Sequence, residues 1–437
     1  MKNIDTLISA RWILPIEPSG TVLEHHSIAI EAGRIVALLP TTQATEEFAP
    51  REHVELHQHV LLPGLVNLHT HVAMTLMRGL ADDLPLMSWL KDHIWPGEGK
   101  HVSPTFVKDG ALLGCAEMLR GGVTCFNDMY LFPDATAQAV DQAGMRATIG
   151  MIAIEFPTPY AADADDYLRK GLEVRDAYRD HALIRFSMAP HAPYTVSDKT
   201  FEKILTLAEQ LETPIHLHVH ETQDEIDQSV AEHQLRPLAR LQKLGLLSPS
   251  VIAAHMVHLT EDEIALCVER GVNIAHCPVS NLKLASGIAP IAQLIARGVN
   301  IGLGTDGAAS NNRLDLLGEM RIAALLAKGA SGDATALPAH QALAMATLNG
   351  AKALGLDQEI GSLKVGKAAD IIALDLSALE TAPLYDVASH LVYAAGREQV
   401  SDVWVGGKRL LNNHTLTTLD THEIKARAAH WQGLLKS

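Results

Sequence analysis

A chain of 437 residues, 47% of them hydrophobic, is long enough for a large domain and a smaller companion around a sizeable core. A formal net charge of -16 excludes binding along a phosphate backbone, which needs a basic surface. No apolar run approaches the roughly 18 residues of a membrane span; the opening MKNIDTLISARWILPIEP carries Asp5 and Arg11, unlike a signal peptide, so a cytoplasmic protein is expected.

The first sixty residues read as short strands: TLISARWILP, HHSIAIEAGRIVALLP and HVELHQHVLLPG, with the EAGR turn predicting a hairpin. Apolar runs at 65–69, 123–128, 145–153, 183–190, 214–220, 251–255, 272–276 and 299–304 then read as strands. Helical stretches sit between them, among them 105–120, 134–143, 199–211, 261–269, 288–297 and 314–328. This alternation predicts an α/β fold with a parallel sheet and crossover helices. Eight strands suit a (β/α)8 barrel, with a doubly wound sheet as the alternative on count alone. Beyond residue 365 the strand-rich style returns in VGKAADIIALDL, HLVYAA and VSDVWVGGKRLL. The four cysteines (115, 125, 267, 277) form no C-x-x-C pair, which predicts reduced, mostly buried thiols.

Several of the 23 histidines end apolar runs. In LVNLHTH, strand alternation puts Leu65, Asn67, His69 and His71 on one face and Val66, Leu68 and Thr70 on the other. In TPIHLHVHET, His216, His218 and His220 share a face, and Glu221 follows. Further runs end in His191 (APHAPY), His255 (IAAHMVH) and Asp306 (IGLGTDG). Each residue alone reads as structural, but in a barrel all these strand ends meet at the rim where active sites lie. Imidazoles and a carboxylate without thiolate suit zinc or iron, and an incomplete protein shell leaves a place for water. Such a metal lowers the pKa of bound water to about 7, and a carboxylate that does not ligate can shuttle protons. The fourth run, ALIRFSMAPHAPY, has no lysine at its end, which favours one metal over a pair bridged by a modified lysine.

The H-x-H after LLPGLVN, the HLHVHET strand, AAHMVHL, HCPVSNLKLASGIAP, GLGTDGAASNN and the tail VGKAADIIALD together resemble the amidohydrolase superfamily. Within it they are most similar to the 5-methylthioadenosine/S-adenosylhomocysteine deaminases and their chlorohydrolase-like relatives, over about residues 60 to 375. The resemblance implies a distorted (β/α)8 TIM-like barrel over 61–364 and a small β-sandwich built from both chain ends, 1–60 plus 365–437. It implies one divalent metal per chain, zinc first, with iron or manganese as alternatives, held by His69, His71, His218 and Asp306. Spacing does not choose among His216, His218 and His220; the H-x-x-E pattern chooses His218 and leaves His216 as a buried, hydrogen-bonded residue.

The implied reaction is hydrolytic deamination of an adenine nucleoside: 5′-methylthioadenosine, with S-adenosylhomocysteine or adenosine as further substrates. Glu221 would protonate the ring nitrogen beside the attacked carbon, His255 would hydrogen-bond the nucleophile, and Asp306 would pass a proton to the leaving ammonia. Glu98 matches the acid that grips the ribose hydroxyls, His191 the histidine that contacts the purine, and Trp89 could lie against the nucleoside or its tail. Asn281 and Lys283 are assigned to loop structure, and HCP at 276–278 is not the P-C-x-x-C of the cytidine-type deaminases. The partners expected are a small nucleoside and further copies of the chain, as a dimer or tetramer.

The family's carboxylate-binding arginines come from near the third and fourth strands. Here no arginine or lysine occurs from Ala147 to Tyr160, where Met151, Ile152, Ile154 and Phe156 surround the single charge of Glu155. Arg146 comes too early, and Arg185 is the competing candidate. An uncharged methylthio tail is therefore expected to be preferred. A related hydrolase of guanine or an s-triazine would share the metal ligands but need no ribose contact, so Glu98 discriminates. A non-catalytic scaffold would be expected to have lost ligands, and this chain keeps all four plus Glu221.

Overall fold

The computed structural model describes residues 1–84 and 88–436. Four strands open the chain: β1 (Lys2–Ile13), β2 (Leu23–Glu31), β3 (Arg34–Pro40) and β4 (Phe48–Pro63). The EAGR turn joins β2 to β3, with Ala32 (φ 50°) and Gly33 (φ 76°) both left-handed, as a tight hairpin turn demands.

Eight parallel strands follow: β5 (Leu65–Thr70), β6 (Val123–Asp128), β7 (Arg146–Ala153), β8 (Ile184–Pro190), β9 (Ile215–Val219), β10 (Val251–His255), β11 (Asn273–His276) and β12 (Ile301–Leu303). They lie side by side in chain order, which is the barrel rather than the doubly wound order. The ring closes where Asn67 exchanges hydrogen bonds with Thr305 and the Asp306 amide donates to the His69 carbonyl (3.0 Å). Close approach at this seam needs glycine: a Cβ at Gly304 would sit 2.8 Å from the His69 Cβ. The barrel is irregular opposite, where β8 and β9 share one paired position.

The crossover helices carry their own local signals. Pro104–Arg120 starts on Ser103, whose hydroxyl accepts from the Phe106 amide, and Glu261–Arg270 starts on a Thr260/Glu263 capping box. Helices Ala164–Tyr178 and Gln223–His233 occupy crossovers for which the sequence reading named none. Among the described residues no helix is long and apolar enough to cross a membrane.

The chain returns in β13 (Ile371–Asp375), β14 (Val400–Val405), β15 (Lys408–Asn412) and β16 (Thr415–Leu416). These join β1–β4 in one eight-stranded sheet whose side chains from both chain ends share a core around Ile8, Ile28, Ile371 and Trp404. The reading of HLVYAA as strand-like is corrected: Val387–Tyr393 is a helix. Asp386 caps its start, and Val387, Ala388, Leu391 and Val392 make one buried face at helical spacing. The final helix, Thr421–Leu435, packs on the barrel, where Asp109 receives Arg427 (2.6 Å) and the Trp431 indole (2.9 Å). Two ends of the chain thus brace a barrel whose strand ends carry the polar residues.

Candidate active site

The C-terminal ends of the barrel strands bring together His69, His71, His218, His255, Asp306 and Glu221. Both His69 and His71 point their Nε2 atoms at Asp306 Oδ1, each 3.2 Å away. His218 Nε2 lies 3.3 Å from His71 Nε2. The candidate ligand atoms of His69, His71 and Asp306 all fall within 4.8 Å of one another, as do those of His69, His218 and His255.

What aims these nitrogens is the bond each ring makes through Nδ1. His71 Nδ1 donates to the Met129 carbonyl (2.5 Å) and His218 Nδ1 to the His191 carbonyl (2.6 Å). His69 Nδ1 meets His216 Nε2 at 2.8 Å, so His216 is a buried, hydrogen-bonded neighbour. With Nδ1 engaged, Nε2 is the free lone pair, the arrangement that metal-binding histidines use. The His69 Nε2 atom is buried without a hydrogen-bond partner. Such an orphaned donor set, three imidazoles and one carboxylate, fits a divalent cation of the zinc type.

Electrostatics favour the neutral, ligating form for His69 and His218 and set His71 apart. Burial holds the His69 imidazole down at about 4, against the pull of Asp306. Burial and the neighbouring histidines hold His218 well below its ordinary value. Burial opposes charge on His71 too, but Asp306 beside it wins and pushes it up to about 9. Burial would raise Asp306; His69 and His71 instead hold its carboxyl far below the usual carboxylate range. Its other oxygen, Oδ2, accepts from the hydroxyls of Ser280 (2.6 Å) and Ser310 (2.8 Å). Both serines sit in stretches quoted from the sequence, yet nothing local marks them as partners of Asp306.

His255 donates from Nδ1 to Asn281 Oδ1 (2.8 Å) and turns Nε2 toward Glu221 Oε2, 3.7 Å away. Asn281, assigned to loop structure, thus touches the site through His255. The loop reading is corrected for both: Asn281 and Lys283 lie in the helix Pro278–Lys283, started by Pro278, and Lys283 at its end is bonded to Asp82, Ala309 and Asn312. Glu221 stands two residues past the end of β9, in a turn held by Glu225, whose two oxygens accept the amides of His220 and Glu221. Burial raises the Glu221 carboxyl, with His255 opposing and Asp306 adding. His220 leaves the strand face on which alternation put it: at φ 56° its ring turns to the His258 carbonyl and the Leu238 amide.

These groups line one end of a cavity of about 350 Å³. Trp89, Glu98 and His191 line it as well, on the helical segments Trp89–Ile94 and Trp95–His101 and just past β8. Burial, with His71 and His69 nearby, drives His191 down to about 3. Sequence reasoning missed Tyr130, Tyr194 and Trp95, which also line it. Ile152, Ile154 and Phe156 face the cavity, whereas Met151 packs outward on Gly171. Glu155 is turned away to cap the helix Asp198–Leu211 through the Ser197 amide (3.0 Å) and the Thr200 hydroxyl (2.7 Å). No arginine or lysine is among the described residues lining the cavity.

The amidohydrolase family pattern matches residues 60–410. A 5-methylthioadenosine/S-adenosylhomocysteine deaminase of Saccharophagus degradans is 49% identical over 428 residues, 98% of this chain and 96% of the relative. The crystal structure of an adenosine deaminase from Xanthomonas campestris with bound zinc superposes with a TM-score of 0.98, at 52% identity, covering 100% of this chain and 99% of that one. The atrazine chlorohydrolase of Arthrobacter aurescens, complexed with zinc, superposes at 0.90 with 26% identity, over 98% of this chain and 100% of that one.

Proposed function

The chain belongs to the amidohydrolase family, and we propose that within it the protein is a zinc-dependent hydrolytic deaminase of adenine nucleosides that prefers 5′-methylthioadenosine. The observation that carries this reading is the convergence of His69, His71, His218 and Asp306 beside a largely apolar cavity that is also lined by Glu221 and Glu98. His69, His71, His218 and Asp306 would hold one zinc ion, which when bound acts as a Lewis acid and makes a water molecule acidic at neutral pH.

The remaining chemistry belongs to the side chains. Glu221, its carboxyl raised by burial, delivers a proton to the purine nitrogen beside the attacked carbon. His255, its Nδ1 proton fixed on Asn281, offers Nε2 to the attacking water and stabilises the tetrahedral adduct at the purine carbon. The carbon–nitrogen bond to the amino group then breaks: Asp306 takes one proton from the water and passes it to the departing ammonia, and the water's other proton returns to Glu221 as the carbonyl forms. Glu98 accepts the ribose hydroxyls, His191 contacts the purine, and Trp89 covers the nucleoside. The apolar wall of Ile152, Ile154 and Phe156 receives the methylthio tail.

A hydrolase of guanine or an s-triazine would use the same metal donors, but Glu98 facing the cavity favours a substrate with a diol. The test is ammonia release from 5′-methylthioadenosine, adenosine and guanine, with zinc measured on the same sample. Turnover of the two nucleosides that vanishes on chelation is expected. Guanine used in preference to both would overturn the reading.

A further inference from the structure

We propose that Tyr130 is the positioning residue for Glu98, fixing its carboxylate toward the sugar and so setting the preference for substrates with a 2′,3′-diol. The inference rests on the nucleoside reading above. The Tyr130 hydroxyl donates to Glu98 Oε1 at 2.7 Å, and both residues line the cavity. Glu98 has no other side-chain hydrogen-bond donor among the described residues, and no lysine or arginine there to hold it.

The helix that carries Glu98, Trp95–His101, does not fix the carboxylate by itself. It is short, has no buried residue and starts without a side-chain cap. Tyr130, by contrast, is 6% exposed and stands two residues past the end of β6. The segment before it is pinned: Asp128 accepts the Val72 amide (2.7 Å), and the Met129 carbonyl receives His71. Three consecutive residues therefore tie the sugar-facing acid and a metal-facing histidine to one rigid strand end. A hydroxyl donor on Oε1 leaves Oε2 and the second lone pair of Oε1 for two ribose hydroxyls. Glu98 is half-buried; loss of water around its carboxyl pushes it up, and the Tyr130 hydrogen bond works against that, toward the ionised acceptor.

The experiment compares Tyr130→Phe, Glu98→Gln and the double variant, all zinc-loaded, on adenosine and 2′,3′-dideoxyadenosine. Removing one hydrogen bond to a charged group should raise KM for adenosine about tenfold to a hundredfold in Tyr130→Phe. The kcat should stay within about threefold, because the lost contact is the same in ground and transition states. On the dideoxy substrate KM should barely move, and the double variant should be no worse than Glu98→Gln alone, since Tyr130 acts through Glu98. Phe keeps the buried ring, and zinc content checks that the variant is folded. An unchanged KM for adenosine, equal losses on both substrates, or additive losses in the double variant would each overturn the proposal. Failure of the nucleoside reading looks different: the unmodified enzyme itself would not distinguish the two substrates, and both conclusions would fall together.

Discussion

S-Adenosylhomocysteine extends the methylthio tail by an α-carboxylate and an α-amino group, and the cavity has no described cation to meet the carboxylate. The nearest sequence candidates are committed elsewhere. Arg146 is spent on Asp370, with Nε 3.0 Å from Oδ2, at the start of β7. Arg185 stands at the start of β8, at the opposite end of the barrel, and bonds the His181 carbonyl (3.2 Å). One charged hydrogen bond is worth about 1.5–3 kcal/mol, so its absence should cost about tenfold to a hundredfold in kcat/KM relative to 5′-methylthioadenosine. Supplying a partner should recover much of this. Phe156 lines the mouth of the cavity and is 41% exposed, so Phe156→Arg would place a planar fork there without burying its charge. Steady-state deamination of both substrates by both proteins is the assay, and the ratio should move toward S-adenosylhomocysteine by at least about tenfold. Equal or better use of S-adenosylhomocysteine by the unmodified enzyme would refute the reasoning, as would a variant that changes both rates alike.

His71→Ala should lower bound zinc well below one equivalent per chain, since losing even an outer partner of a metal ligand costs about 10–100-fold in affinity; full occupancy by metal analysis would exclude His71 as a ligand. Glu221→Gln should keep its metal while turnover falls by about 10²–10⁴, and metal loss would instead mark Glu221 as a ligand. Asp370→Ala should lower the urea midpoint, because it strands the Arg146 guanidinium, 8% exposed, without its carboxylate, at about 3–5 kcal/mol. Glu319 is buried, and burial pushes its carboxyl up to about 8. Its folded value lies above its unfolded one, so its stabilising contribution is full below about 4.5 and is lost as pH rises toward 8. Glu319→Gln should therefore gain stability relative to the parent across that window in urea melts at several pH values; a difference that does not change with pH would contradict this.

Strand alternation and strand-terminal residue type were enough to read the parallel strands and the polar groups that end them; the barrel and the choice of donors rested on the family resemblance. β5 through β11 run within two residues of the sequence-derived limits, and the predicted metal donors converge. What the sequence did not display are contacts between residues far apart in the chain. Nothing local in SNLKL shows that Asn281 will hold His255, or that Ser280 and Ser310 will share one oxygen of Asp306. The Tyr130–Glu98 bond likewise joins a helix to a segment 32 residues further along the chain. Arg185 was legible in hindsight: a residue that begins a barrel strand lies at the rim opposite the active site.

The failures of alternation fall where the strands stop, and there is a physical reason. Within β5 and β9 the ladder sets which way a side chain points, so Asn67, His69, His216 and His218 obey the two-residue period. From the last paired residue onward the ladder no longer decides, and tertiary hydrogen bonds choose the backbone conformation instead. His220 (φ 56°), His255 (φ 74°) and Asp306 (φ 59°) all lie in the left-handed region, which costs a residue with a Cβ and persists only when its surroundings over-determine it. For Asp306 those surroundings can be named: its amide is held by the His69 carbonyl, Oδ1 by the Gly307 amide, and Oδ2 by two serines. The conformation that carries the carboxylate to His69 and His71 thus depends on two distant groups, the His69 carbonyl and Ser280, as well as on the near Gly307 and Ser310, which is why its direction could be inferred only from the family pattern and not from its own strand.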